Sequence, residues 1–154
     1  MKKFIVVLLI AIVGITSCKK EKKSTLRADK PIAVAIIGPW YTTSETYEYF
    51  NASNEKVFNR TVEPNWEYSI HELFKITNPQ GQRLLRTEYT VTKVNGKNYF
   101  TYVNNGVTET FEITFVQQDT MTWRQEKTNS KYVDNGEKIA AKEVIIINFL
   151  CPCK

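Results

Sequence analysis

The 154-residue chain has a single histidine, His71. One imidazole cannot supply the multi-histidine sites that hold catalytic zinc or non-haem iron. It also leaves a Ser-His-Asp or Cys-His arrangement dependent on long-range coincidence. Glycine is scarce, with 6 residues. None sits in a Gly-rich phosphate loop, and no HExxH-type spacing occurs. Apolar runs are short: the one from Phe4 to Ile15 falls below the about 20 residues a helix needs to cross a bilayer. After Trp40 no long stretch repeats its apolar residues every three or four positions, which argues against a helical bundle. Together these absences predict a non-enzymatic chain with no cofactor and no metal.

The amino terminus carries an address. Lys2 and Lys3 precede the apolar run, whose length suits the h-region of a secretory signal. The run ends in Ile15-Thr16-Ser17-Cys18. That sequence resembles the bacterial lipobox, the cleavage site of signal peptidase II. The resemblance implies a signal peptide over residues 1–17 and a diacylglyceryl group on the Cys18 thiol, with Cys18 as the acylated first residue of the mature protein. Each buried CH₂ contributes about 0.8 kcal/mol, so several acyl chains give a durable anchor. The implied location is the bacterial cell envelope, lipid-anchored to a membrane.

Charge is unevenly placed. The formal net charge is +5 and the pI near 9.0, values often met in nucleic-acid binders. Yet Lys19, Lys20, Lys22, Lys23, Arg27 and Lys30 crowd the segment after Cys18, against only Glu21 and Asp29. In the remaining body acids and bases nearly cancel. Residues 18–30 therefore read as a lipidated, flexible, basic tether beside anionic headgroups. No basic stripe for nucleic acid is expected on the body. Some surface-exposed bacterial lipoproteins carry an acidic stretch after the cysteine. The basic one here favours an outer-membrane protein facing the periplasm.

Residues 31–154 form one domain by length, and from Trp40 onward they read as strands. Tyr, Phe, Thr, Val and Ile are frequent. Asn95-Gly96, Asn105-Gly106 and Asn135-Gly136 are hairpin signals, because Asn and Gly tolerate the positive φ of type I′ turns. Asn78-Pro79-Gln80-Gly81 marks another turn. Eight strands are predicted, near 39–50, 55–61, 66–76, 82–94, 97–104, 107–116, 120–128 and 138–150. Short loops make them antiparallel neighbours. The expected fold is all-β, an eight-stranded antiparallel up-and-down barrel, with a β-sandwich as the alternative. Pro31–Ile37 is read as a short helical turn, opened by Pro31 and ended by Gly38, that plugs one barrel end, with a strand over Ile32–Ile37 as the alternative. The last strand is apolar on both faces, predicting cover on both sides or a self-associating edge.

Gly38-Pro39-Trp40 opens the first strand. A G-x-W at the head of such a meander, just after a lipoprotein tether, resembles the lipocalins and most of all the lipocalin-like domains of bacterial lipoproteins. The resemblance implies a tryptophan packed across one barrel end. The family's T-D-Y-like loop motif is absent, and no arginine follows Arg124.

Alternation selects candidate site residues. Trp66, Tyr68, Ile70, Phe74 and Ile76 share one face; Val107, Phe111, Ile113 and Phe115 share another, as do Met121 and Trp123. Glu72, Glu109 and Gln125 fall in phase with these inward residues, whereas His71 faces solvent. Buried carboxylates need partners. The functional reading is that Glu72, Glu109 and Gln125 fix the polar group of a small, partly apolar ligand, within a lining of Trp40, Trp66, Tyr68, Phe111 and Trp123. The bland reading places the carboxylates at the barrel rim or pairs them with Arg83 or Arg86. Cys151 and Cys153 remain once Cys18 carries lipid. They could pair across the tight Cys-Pro-Cys loop, hold a metal as thiolates, bond intermolecularly, or form an unreactive tail. Two roles follow as expectations: a ligand-binding barrel, or an interaction or inhibitor lipoprotein whose barrel is filled by its own side chains. The protein partner of the second role is unknown.

Overall fold

The computed structural model describes residues 30–152. The expected signal peptide, the expected lipidation site Cys18, nearly all of the expected tether, and Cys153 lie outside the described residues.

A single-turn helix, α1 (Ile32–Ala35), precedes ten strands: β1 (Gly38–Phe50), β2 (Lys56–Val62), β3 (Glu67–Ile70), β4 (Phe74–Thr77), β5 (Arg83–Thr87), β6 (Tyr89–Val94), β7 (Lys97–Asn104), β8 (Val107–Val116), β9 (Thr120–Val133) and β10 (Glu137–Leu150). All pairings are antiparallel. The sheet runs β5-β4-β3-β1-β10-β9-β8-β7-β6, with β2 paired to β1 beside β3. The first and last strands thus join, from Tyr41↔Leu150 to Phe50↔Lys142. The two ends of the sheet, β5 and β6, are neighbours along the chain, separated only by Glu88. The result is a nearly closed, up-and-down, all-β barrel, as the strand pattern predicts.

The ten strands reduce to the eight predicted segments, with instructive exceptions. The segment 66–76 is a hairpin. Tyr68 pairs with Ile76 and Ile70 with Phe74, so the reversal is symmetric about Glu72. Alternation survives such a fold-back unchanged: Tyr68, Ile70, Phe74 and Ile76 are all buried. Only the residue at the centre changes fate, and Glu72 is exposed at the turn instead of facing inward. A second departure lies in β8. The register shifts between Ile113 and Phe115, turning Phe115 outward at 45% exposure while Val116 packs against the core. In β9 the strand continues past 128, because Asn129 adopts φ 53° and the inward phase resumes at Ser130 and Tyr132.

Two of the Asn-Gly turns form the predicted two-residue hairpins: Asn95 and Gly96 take φ 50° and 81°, and Asn105 and Gly106 take 51° and 81°; Asn135 and Gly136, at 52° and 126°, instead sit in a three-residue loop between Val133 and Glu137. β10 is no edge, being paired on both sides by β1 and β9. Its outer Val144 is 3% exposed between cross-strand neighbours Glu48 and Glu126, which are ion-paired to Lys56 and Arg124. α1 lies against one barrel end. Ile36, just after it, is fully buried in the core cluster, and its carbonyl accepts a 2.7 Å bond from Trp40 Nε1.

Candidate functional site

The barrel interior is layered. The α1 end is filled by aromatic rings. Trp40, Trp123, Phe74 and Phe100 are fully buried. Phe100 stacks on Trp123 at 4.6 Å between centroids, and Phe74 and Phe149 meet these rings edge-on at 5.0 Å. Trp123 Nε1 donates to the Met121 sulfur at 3.1 Å. Trp40, Phe111 and Trp123, expected as ligand lining, therefore contact one another's layer and leave their polar atoms satisfied within the protein. Trp66 packs half-buried against this cluster, and its backbone N–H and carbonyl both engage Thr42.

Above the rings lies a belt of inward polar groups carried on five adjacent strands. Tyr102 of β7 faces Glu109 of β8. Gln125 of β9 donates through Nε2 to Glu109 Oε2 at 2.7 Å, and Lys127 ion-pairs with the same carboxylate at 3.1 Å. Glu143 of β10 pairs in register with Lys127 and with Tyr49 of β1. Glu45 of β1 accepts a 2.8 Å bond from the Tyr47 hydroxyl. Glu45, Gln125 and Glu143 are 5%, 8% and 9% exposed. Glu109 thus sits with Gln125 and Lys127, and neither Arg83 nor Arg86 is its partner. Gln125 Oε1 is buried with no hydrogen-bond partner among the described residues.

The tyrosines report this environment. Burial, followed by the nearby Glu45, Tyr102 and Tyr47, raises the Tyr68 phenol well above its ordinary value. Burial and then Glu109 and Glu45 do the same for Tyr102, and burial and the Glu45 hydrogen bond for Tyr47. Tyr49 is pushed up to about 12 by burial and its hydrogen bond to Glu143. Tyr102 feels Glu109, its register partner on β8, and Glu45, which lies strands away on β1, so both carboxylates face one space.

Past the belt, the long strands β1, β2, β9 and β10 continue as an open extension. Its inner face is an aromatic platform: Tyr49 stacks on Tyr132 at 4.8 Å and Tyr132 on Phe58 at 5.4 Å. These rings, with Arg60, Lys131 and Val133, line a groove of about 180 Å³. A larger depression, about 580 Å³, lies outside the barrel beside the β3–β4 turn, against Ile37, His71, Glu72, Leu73, Lys75 and Arg86. Glu72 belongs there, away from the belt.

Glu45, Tyr47, Tyr102, Lys127 and Glu143 are belt members that alternation alone passes over. Glu143 shares the parity of Ile145, Ile147 and Phe149, which is a usable signal. Glu45 is hidden from Trp40 and Thr42 by the register shift at Thr43, yet it keeps step with Tyr47 and Tyr49. Among the described residues no group of three His, Cys, Asp or Glu side chains could hold a metal ion, and no helix is long and apolar enough to cross a membrane. Cys151 is buried and disulfide-bonded. No protein family, curated protein or solved structure matches this chain.

Proposed function

We propose that this chain is a lipid-anchored cell-envelope protein whose barrel binds a small, partly apolar molecule at the end opposite α1. The anchor rests on the lipobox-like Ile15-Thr16-Ser17-Cys18. The binding role rests on one observation above others: a barrel whose core is otherwise apolar holds an inward belt in which Gln125 Oε1 has no partner. Buried polar groups are almost always satisfied, and an orphan costs about 1–3 kcal/mol. A ligand donor would offset that cost. The aromatic groove above the belt supplies surface for the apolar part of the molecule. The outer-membrane, periplasm-facing location belongs to the same proposal.

Two measurements test it. Cys18→Ala should release the protein from the membrane fraction or leave it unprocessed; a mature, membrane-bound variant would refute the anchor. Native mass spectrometry of the detergent-extracted full chain should find a bound small molecule, which Tyr132→Ala should abolish.

A second reading draws on the filled aromatic end. A packed barrel that presents loops and an open strand edge suits an interaction or inhibitor protein. β2 is paired only with β1 and lies off the main path of the sheet. Co-purification of a stoichiometric protein partner, with no small molecule bound, would favour that role.

A further inference from the structure

The geometry points to an organic cation as the ligand: a primary ammonium head received by Glu45 and Gln125, with an aromatic or apolar body on the Tyr49–Tyr132–Phe58 platform. This rests on the binding role proposed above and specifies the chemistry of that site.

Three inward carboxylates have two cations near them: Lys127, paired with Glu109, and Arg60, which lies over the Tyr47 ring. Glu45, Glu109 and Glu143 face inward. Of these only Glu109 takes part in an ion pair. Glu45, 5% exposed, accepts a hydrogen bond from one neutral donor, the Tyr47 hydroxyl on its Oε2, and takes part in no ion pair. A carboxylate this buried without a cation is costly. Gln125 Oε1 is the one buried acceptor without a partner among the described residues. Its orientation is fixed by the network: rotating the amide would set Oε1 against the Glu109 carboxylate, oxygen facing oxygen, and forfeit the 2.7 Å bond from Nε2. An ammonium group offers three donors and no acceptor. It therefore supplies a donor to Gln125 Oε1 and a counter-charge to Glu45, and Glu143 on the neighbouring strand adds attraction.

The surrounding rings agree with this assignment. Arg60 already lies over the Tyr47 ring at 4.5 Å. Aromatic faces at this end accept positive charge. An anionic head would meet three carboxylates. A neutral alcohol would supply one donor in place of three and leave Glu45 without a counter-charge.

Three probes with one aromatic body and different heads separate the possibilities: phenethylammonium, phenethyl alcohol and hydrocinnamate. Each is titrated calorimetrically into the full chain in detergent at neutral pH. Phenethylammonium should bind at least about tenfold more tightly than the alcohol, a difference of about 1.4 kcal/mol, with hydrocinnamate weakest. Glu45→Gln should bring the cation down to about the affinity of the alcohol and weaken the alcohol far less. Gln125→Leu should lower the preference severalfold and serves as the test if Glu45→Gln fails to fold, judged by near-UV circular dichroism. Equal binding of cation and alcohol would overturn the ammonium assignment while leaving a ligand-binding barrel in place. Failure of all three to bind, with native mass spectra free of any ligand, would overturn both.

Discussion

Replacing Trp40 with phenylalanine tests what closes the α1 end of the barrel. Trp40 and Ile36 are both fully buried, and the indole N–H donates to the Ile36 carbonyl at 2.7 Å. Phenylalanine keeps a ring there but has no donor. The orphaned carbonyl then costs about 1–3 kcal/mol. The smaller ring leaves a void, which at about 24 cal/mol per Å³ adds roughly 1 kcal/mol. The expected loss is about 2–4 kcal/mol, a large share of the roughly 5–15 kcal/mol by which a domain of this size is stable. In urea the midpoint should fall by roughly 1–2 M with an unchanged slope. Amide exchange across Ile32–Ile36 should accelerate more than exchange in β9, because the bond ties the helical turn to β1. A W40F protein that loses less than about 1 kcal/mol, with exchange at Ile36 unaltered, would show that the turn is held by apolar contact alone and that the hydrogen bond is incidental.

Further outcomes follow from the belt and the turns. The phenols of Tyr47, Tyr49, Tyr68 and Tyr102 are all raised in the folded state, so the native protein holds protons that the unfolded chain releases near pH 10. Stability from these groups is fully present below that pH and falls as pH rises above it, by up to about 1.4 kcal/mol per pH unit for each tyrosine; urea titrations at alkaline pH, with phenolate absorbance followed in parallel, measure this. Lys127→Met removes the ion pair to Glu109, whose side chain is 17% exposed against 40% for the lysine. Solvent screening limits the cost to about 1 kcal/mol, and a double-mutant cycle with Glu109→Gln isolates it. Gly96→Ala meets no atom within 4 Å but must adopt φ +81°, so it should lose about 1 kcal/mol from backbone strain without any clash. Glu72→Ala, at an exposed turn, should change stability by less than about 0.5 kcal/mol and leave ligand binding untouched.

Local chemistry wrote much of this fold into the sequence. Asn-Gly pairs fixed where hairpins turn, because few residues tolerate two successive positive φ angles. Alternation fixed which residues of β3, β4 and β9 face inward, since a strand has a period of two and one face must leave water. Pro31 and Gly38 bounded the short turn α1. The pairing of Glu109 with Gln125 was foreshadowed by their common phase with Phe111 and Trp123. Tertiary structure decided the rest, at points where a period of two is blind. Folding back about Glu72 preserves the alternation of its neighbours, so only the pairing of Ile70 with Phe74 reveals that Glu72 has left the interior. The register shifts at Thr43 and Thr114 reverse the phase of the residues beyond them and carry no sequence signal of their own. The place of Glu45 in the belt depends on the first. Glu45 shares the barrel interior with Gln125, two strands away, because β1 closes on β10, and closure is a long-range pairing that no local preference can specify.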